Sequence, residues 1–339
     1  MDDDLTLFLE SLEAVESLQL VSSNSVFRRP RLYRQRTEDF EKYDDKDFVF
    51  RYRLSKETVL FLLEKIEHLL EYKDNRNQSV TPLTQLLCTL RYFATGNFLL
   101  TVGDLCGISV ATSSRIIKRV ANAIVTLRKE FIRFPNSQEE ISTVKGQFYK
   151  IARFPNVLGC IDCTHVKIQS PDVVARWPGS THDSTIYQNS QRHRVFESGA
   201  YNVAYLLGDS GYPLKSHLLT PYLNPSTHGE RKYNEAHIKT RNTVERQYGV
   251  LKRRFPVLAV GLRLKLTTSV HVILACCILH NICIIRKEQD PINDGSIPNL
   301  EELIQNGQIP PTHNIAADHS YGFQRNYMTQ YFGNLTNRN

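Results

Sequence analysis

The chain has 339 residues, with 42 Lys and Arg against 35 Asp and Glu, a net charge of +7, 41% hydrophobic residues and only 16 Gly and 14 Pro. That profile excludes a disordered, collagen-like or small disulfide-stapled protein, and the length suggests about two domains, each able to bury its own core. Seven cysteines, an odd number, and a start of Met1-Asp2-Asp3-Asp4 where a leader needs basic and then apolar residues point to a reducing compartment.

Residues 1–20 carry six acidic side chains and no Lys or Arg, whereas 28–36 hold Arg28, Arg29, Arg31, Arg34 and Arg36. The first 44 residues read as an acidic and then basic extension, and the arginine run resembles a nuclear import patch. Residues 45–135 read as a helical region. Ser55 is a candidate N-cap ahead of the stripe Val59, Leu62, Leu63, Ile66 and Leu70. Thr81-Pro82 opens a second helix that ends near Gly96. A short helix through Val102 to Cys106, a turn at Gly107 and a longer helix capped by Ser109, with Ile117, Val120, Ile124 and Leu127 inward, form a helix-turn-helix candidate. Its outward side would carry Ser113, Ser114, Arg115, Lys118 and Arg119, groups suited to phosphates and base edges. An ordinary three-helix bundle would show the same pattern.

Character changes near Pro155, and residues 150–286 read as an α/β domain. The β-prone run Val157 to Ile161 ends in Asp162, and Ala204 to Gly208 ends in Asp209. Between them, the turn Trp177-Pro178-Gly179-Ser180 leads to Thr181-His182-Asp183 at the mouth of a short helix. A helix from about Thr240 to Phe255 follows, then the most apolar stretch of the chain, Val270 to Ile285, read as a buried helix with no membrane role. Beyond 287 the pattern reads as a mobile tail. From Glu230 to Lys265 ten Lys and Arg oppose three Glu, the clustering that a polyanion-binding face requires.

An apolar strand seldom ends in an ionised side chain without a bound or capping partner, because desolvating a lone carboxylate is costly. Each acidic residue also has an ordinary local role: Asp209 in an Asp-Ser-Gly turn, Asp183 as an N-cap, Glu245 as an exposed helical residue. In the last helix Val244, Tyr248, Leu251 and Phe255 form the inner stripe, with Arg241, Glu245, Gly249 and Lys252 beside it. Carboxylates from two strand ends and a helix, rimmed by Arg241, Lys252 and Arg253, suit divalent-cation-assisted phosphodiester hydrolysis. A zinc site from Cys160, Cys163 and His165 is weaker, since on a strand the two cysteines face opposite sides.

Four ordered blocks, Gly159 to Val166, Trp177 to Ser184, Leu207 to Tyr212 and Arg241 to Arg246, resemble those of PIF/Harbinger-type transposases and their domesticated nucleases. The resemblance covers roughly residues 45–285. It implies an RNase H-like fold, a mixed sheet flanked by helices, behind an all-α region with a helix-turn-helix. It implies an Asp-Asp-Glu site with catalytic Asp162, Asp183 and Glu245, the same three with Asp209 as metal ligands, and two Mg²⁺ or Mn²⁺ ions. DNA as substrate, nuclear location alongside some cytoplasmic, a Myb/SANT-like DNA-binding partner and a homo-oligomer are further implications.

The chain departs from this pattern in one place. Asp183 follows Asp162 by only 21 positions, and the domain is shortened between 166 and 173 by about one strand. If Val173 to Trp177 pairs directly with the first strand it runs the wrong way, which predicts a displaced Asp183, or Val166 to Pro171 serving as a makeshift strand. The rival to a nuclease is accordingly a DNA-binding or scaffold protein that keeps the fold without cleavage.

Overall fold

In the computed structural model, which describes residues 36, 38–74, 78–168, 183–291 and 322–335, several helices open on a side chain that accepts a hydrogen bond from a first-turn backbone N–H. Helices α1 (Asp39–Lys42) and α2 (Asp45–Tyr52) lead to α3 (Lys56–Leu70), capped by Ser55 as expected. Helix α4 (Pro82–Thr95) starts behind Thr81 with Pro82 in its first turn and stops at Gly96, whose φ of 65° ends the helix without a Cβ penalty. Then come α5 (Leu99–Leu105), α6 (Val110–Val125) capped by Ser109, α7 (Arg128–Phe131) and α8 (Gln138–Ala152).

The second half holds β1 (Val157–Cys160), α9 (Asp183–Gln188), α10 (Gln191–Glu197), β2 (Tyr205–Leu207) and β3 (Leu218–Leu219). Helices α11 (His228–Arg254), α12 (Val257–Val260), α13 (Leu266–Ile285) and α14 (Gly322–Leu335) complete it. Helix α11 begins twelve residues before the expected Thr240. Its start is a capping box, in which the Thr227 hydroxyl accepts from the Glu230 N–H and the Glu230 carboxylate accepts from the Thr227 N–H.

The architecture is α/β and helix-rich, around a small parallel sheet ordered β1-β2-β3. Strand alternation gives the sheet two apolar faces, as parallel strands require. Val157, Tyr205, Leu207 and Leu219 pack with Tyr233 and Ala236 of α11 and with Met328 and Phe332 of α14. Leu158, Leu206 and Leu218 pack on the other side with Ile141, Tyr187 and Phe196.

The helical region expected over 45–135 does not close on itself. Its core, from Phe48 through Leu62, Leu90, Ile116 and Ile124, is completed by Leu251, Phe255, Leu258, Val272, Cys276 and Leu279. Phe255 meets Phe93 edge to face at 6.4 Å. Helix α13 is longer than the apolar stretch that announced it and by length and composition alone could cross a membrane, but Val272, Ala275, Cys276, Leu279 and Ile282 are core residues. Asn281 donates to the Phe131 carbonyl at 2.8 Å, and the His280 ring meets the Gln247 side chain at 2.9 Å.

Two parts of the expected mobile tail are held. The Glu288 carboxylate accepts from the Ser55 hydroxyl at 2.5 Å, and the Arg254 guanidinium donates to the Gln289 carbonyl at 2.9 Å. Further on, α14 buries Met328 and Phe332 against the sheet, apolar residues four apart that a composition of Asn, Gln and Gly concealed. Of the arginine run, only Arg36 lies among the described residues, where it donates to the Ser79 carbonyl at 2.7 Å.

Between α5 and α6 the chain turns tightly over Gly103. A Cβ there would stand 2.8 Å from the Ile108 carbonyl oxygen and 3.1 Å from the Ser113 hydroxyl. Gly103→Ala should therefore destabilise the protein by about 1–3 kcal/mol through overpacking, measured by urea denaturation. An unchanged midpoint would contradict this close crossing.

Candidate active site

The register of β1 on β2 pairs Cys160 with Leu207, so Asp162 and Asp209 each stand two residues past the paired positions, on neighbouring strands at one end of the sheet. The Ile161 N–H still bonds to the Leu207 carbonyl at 2.9 Å, which carries the alignment to the threshold of Asp162. Gly208 lets the turn close, because any Cβ would lie 2.9 Å from the Tyr212 ring. The Tyr212 hydroxyl lies 3.8 Å from Cys163 Sγ, tying the two aspartate loops together. Asp209 accepts from the Gly211 N–H at 3.0 Å, so its expected turn role and its place at the site coexist.

Helix α11 supplies the third wall. Arg241, Glu245, Tyr248 and Lys252, at spacings of four, three and four, line the side that meets the segment after β1. The Tyr248 hydroxyl donates to the Asp162 carbonyl at 2.7 Å, and the Lys252 ammonium donates to the His165 carbonyl at 3.2 Å. Arg241 lies 2.6 Å from the Glu245 carboxylate and 3.7 Å from that of Asp162. One guanidinium thus bridges acids from a strand end and a helix.

Burial pushes the Asp162 carboxyl up to about 6; Arg241 opposes the rise, and the negative charges of Asp209 and Glu245 add to it. The Asp162 carboxylate therefore feels both of the others, although as a set the three stand wider than 4.8 Å. Hard oxygen donors with an excess of negative charge fit Mg²⁺ or Mn²⁺, and Asp162, Asp209 and Glu245 are the residues that would hold such an ion.

Asp183 opens α9, but its side chain lies outside the described residues, as do the block Trp177 to His182 and the strand expected over Val173 to Trp177. The makeshift strand fails over its described part: the Lys167 carbonyl accepts from the Leu262 N–H at 2.8 Å and Ile168 bridges Leu262 in parallel, so 166–168 pairs away from β1. The zinc alternative also fails. Cys160 Sγ faces the Thr240 carbonyl at 3.6 Å while Cys163 faces Tyr212, and no shared site forms.

Several residues expected at DNA make hydrogen bonds within the fold. Ser113 is fully buried and donates to the Ser109 carbonyl at 3.1 Å, because it sits under Gly103 and not on the outer face of α6. Arg119 closes the C-terminus of α3 through the Leu69 and Glu71 carbonyls at 3.0 and 2.8 Å, stacked on Tyr72. Lys252 is buried, and desolvation holds its ammonium below its ordinary pKa. Arg115 is exposed, and Lys118 and Arg253 are half-buried.

Residues 145–281, which contain all these carboxylates, match the family described as DDE superfamily endonuclease. The chain belongs to that family, in its Harbinger transposase-derived branch. It is 33% identical over 282 residues to the Homo sapiens protein "Putative nuclease HARBI1", a match spanning 73% of this chain and 81% of that one. The Xenopus laevis protein of the same name is 29% identical over 301 residues, 78% of this chain and 86% of that one. "Protein ALP1-like" of Arabidopsis thaliana is 24% identical over 311 residues, 77% of this chain and 76% of that one. No solved structure matches the chain.

The Asp162 shift carries a stability signature. A carboxyl held near 6 when folded and near 3.8 when unfolded costs stability once ionised, a cost absent below about pH 4 and complete above about pH 7. Buried His217, His237 and His280, each pushed down to about 4, act in the opposite sense over the same range. The difference between proteins isolates the aspartate: Asp162→Asn should gain roughly 2–3 kcal/mol on wild type between pH 4 and 7 in urea denaturation. A constant difference would contradict the shift.

Proposed function

We propose that this protein is a transposase-derived, divalent-metal-dependent DNA endonuclease with an RNase H-like catalytic domain. The observation that carries the reading is the convergence of Asp162, Asp209 and Glu245 from two parallel strand ends and a facing helix, with Asp209 and Glu245 both near enough to raise the Asp162 pKa. Asp183 is proposed as the fourth member on the family resemblance. Bound divalent ions would supply water activation and stabilisation of the leaving oxygen. The chain's own residues position the site: Tyr248 fixes the Asp162 backbone, Arg241 orients Glu245, and Gly208 admits the Tyr212 ring that ties the aspartate loops.

DNA would be held by cations that reach solvent. Arg115, with Lys118 beside it, lies on the outer side of α6, the second helix of a proposed helix-turn-helix formed with α5. Nuclear location, a Myb/SANT-like partner and a homo-oligomer belong to the same proposal and rest on the resemblance. The second reading, a DNA-binding protein without cleavage, is favoured by the short interval between Asp162 and Asp183.

Plasmid nicking separates the two. With Mg²⁺ or Mn²⁺, wild type should convert supercoiled plasmid to open circle, and Asp162→Asn should lose at least 100-fold of that rate. Equal rates in both proteins would reject the enzyme. Binding without nicking by wild type, strongest at low salt, would establish the second reading.

A further inference from the structure

A separate group of metal-ligand side chains lies on the far side of the sheet from α11. His193 and Glu197 are four apart on α10, and His217 immediately precedes β3. Nδ1 of His193 stands 3.8 Å and Nδ1 of His217 3.9 Å from Glu197 Oε1. Among the described residues this is the one trio of His, Cys, Asp or Glu whose ligand atoms all lie within 4.8 Å of one another. The carboxylate site follows the trailing ends of β1 and β2, whereas this trio sits at the leading end of β3.

His217 supplies the independent sign of a ligand. It is 5% exposed, yet neither of its ring nitrogens makes a hydrogen bond, and His193 Nδ1 is likewise buried without one. Burying an imidazole with both nitrogens unsatisfied is costly, so the fold keeps this ring buried against a desolvation penalty. The fold nevertheless fixes the ring: Phe196 stacks on it at 5.4 Å, Tyr187 lies 6.2 Å away, and the His193 ring is 5.6 Å distant.

We propose that His193, Glu197 and His217 bind one zinc-class divalent cation and so pin α10 to the leading end of β3. Two imidazoles and a carboxylate are the donors of a borderline ion, not of Mg²⁺, and tetrahedral ligation would set the three donors about 3.3 Å apart, within reach by small side-chain rotations. Glu197 is half-exposed, which leaves the fourth position open to water. Lys215, 3.4 Å from Glu197 Oε1, is the competing cation that the ion displaces. This site is independent of the nuclease reading.

The test is isothermal titration of the chelator-stripped full chain with Zn²⁺, with Co²⁺ absorption reporting tetrahedral nitrogen and oxygen ligation. Wild type and Asp162→Asn should each bind one equivalent at this site. Glu197→Gln and His193→Ala, changes at positions that reach solvent, should weaken it tenfold or more while circular dichroism shows the fold intact. Unchanged affinity in both variants overturns the proposal. So does a zinc site lost in Cys163→Ser or in Asp162→Asn but kept in Glu197→Gln. If either variant unfolds, Glu197→Asp, which keeps the carboxylate, decides: retained binding supports the site, and loss in a folded protein overturns it.

Discussion

Two neighbouring parallel strands deliver their aspartates to the same end of the sheet, and the repulsion this creates is the constraint around which the second half of the chain is built. Parallel pairing leaves no choice of direction. Once Cys160 is in register with Leu207, Asp162 and Asp209 must lie side by side. Arg241 sets one positive charge against these carboxylates, and the Asp162 carboxyl sits near 6 chiefly because it is buried. On the proposed reading, a divalent cation would neutralise the charge that three carboxylates leave against one guanidinium.

Helix α11 is the element that makes this arrangement hold. Its middle presents Arg241, Glu245, Tyr248 and Lys252 to the segment leaving β1, its first half packs Tyr233 and Ala236 beneath the sheet, and its end places Leu251 and Phe255 in the helical core. One rigid rod of 27 residues therefore joins the carboxylates to the helices that carry Arg115 and Lys118.

Much of this was legible in the sequence, for identifiable reasons. Ser55, Thr81-Pro82, Gly96 and Ser109 mark helix ends because capping is a local interaction. The two β-prone runs ending in Asp162 and Asp209 were legible because strand burial leaves a compositional trace. The start of α11 was missed although Thr227 and Glu230 form a capping box, since the region after it is too polar to show an apolar stripe. That Ser113, Arg119 and Lys252 are engaged within the fold was not legible: charge and hydroxyl content are visible in a sequence, but whether a side chain faces solvent or a carbonyl depends on tertiary contacts. His193, Glu197 and His217 gave only an i, i+4 His-Glu pair, which is common on helices without a metal. Their meeting depends on where β3 begins.

On the proposed reading, Asp162, Asp209 and Glu245 act as one charged cluster with room for a divalent cation. This is tested most directly by Mn²⁺ binding followed by electron paramagnetic resonance in the full chain. Asp162→Asn, Asp209→Asn and Glu245→Gln should each weaken Mn²⁺ binding tenfold or more. Affinities equal to wild type in all three would show that these carboxylates do not share an ion.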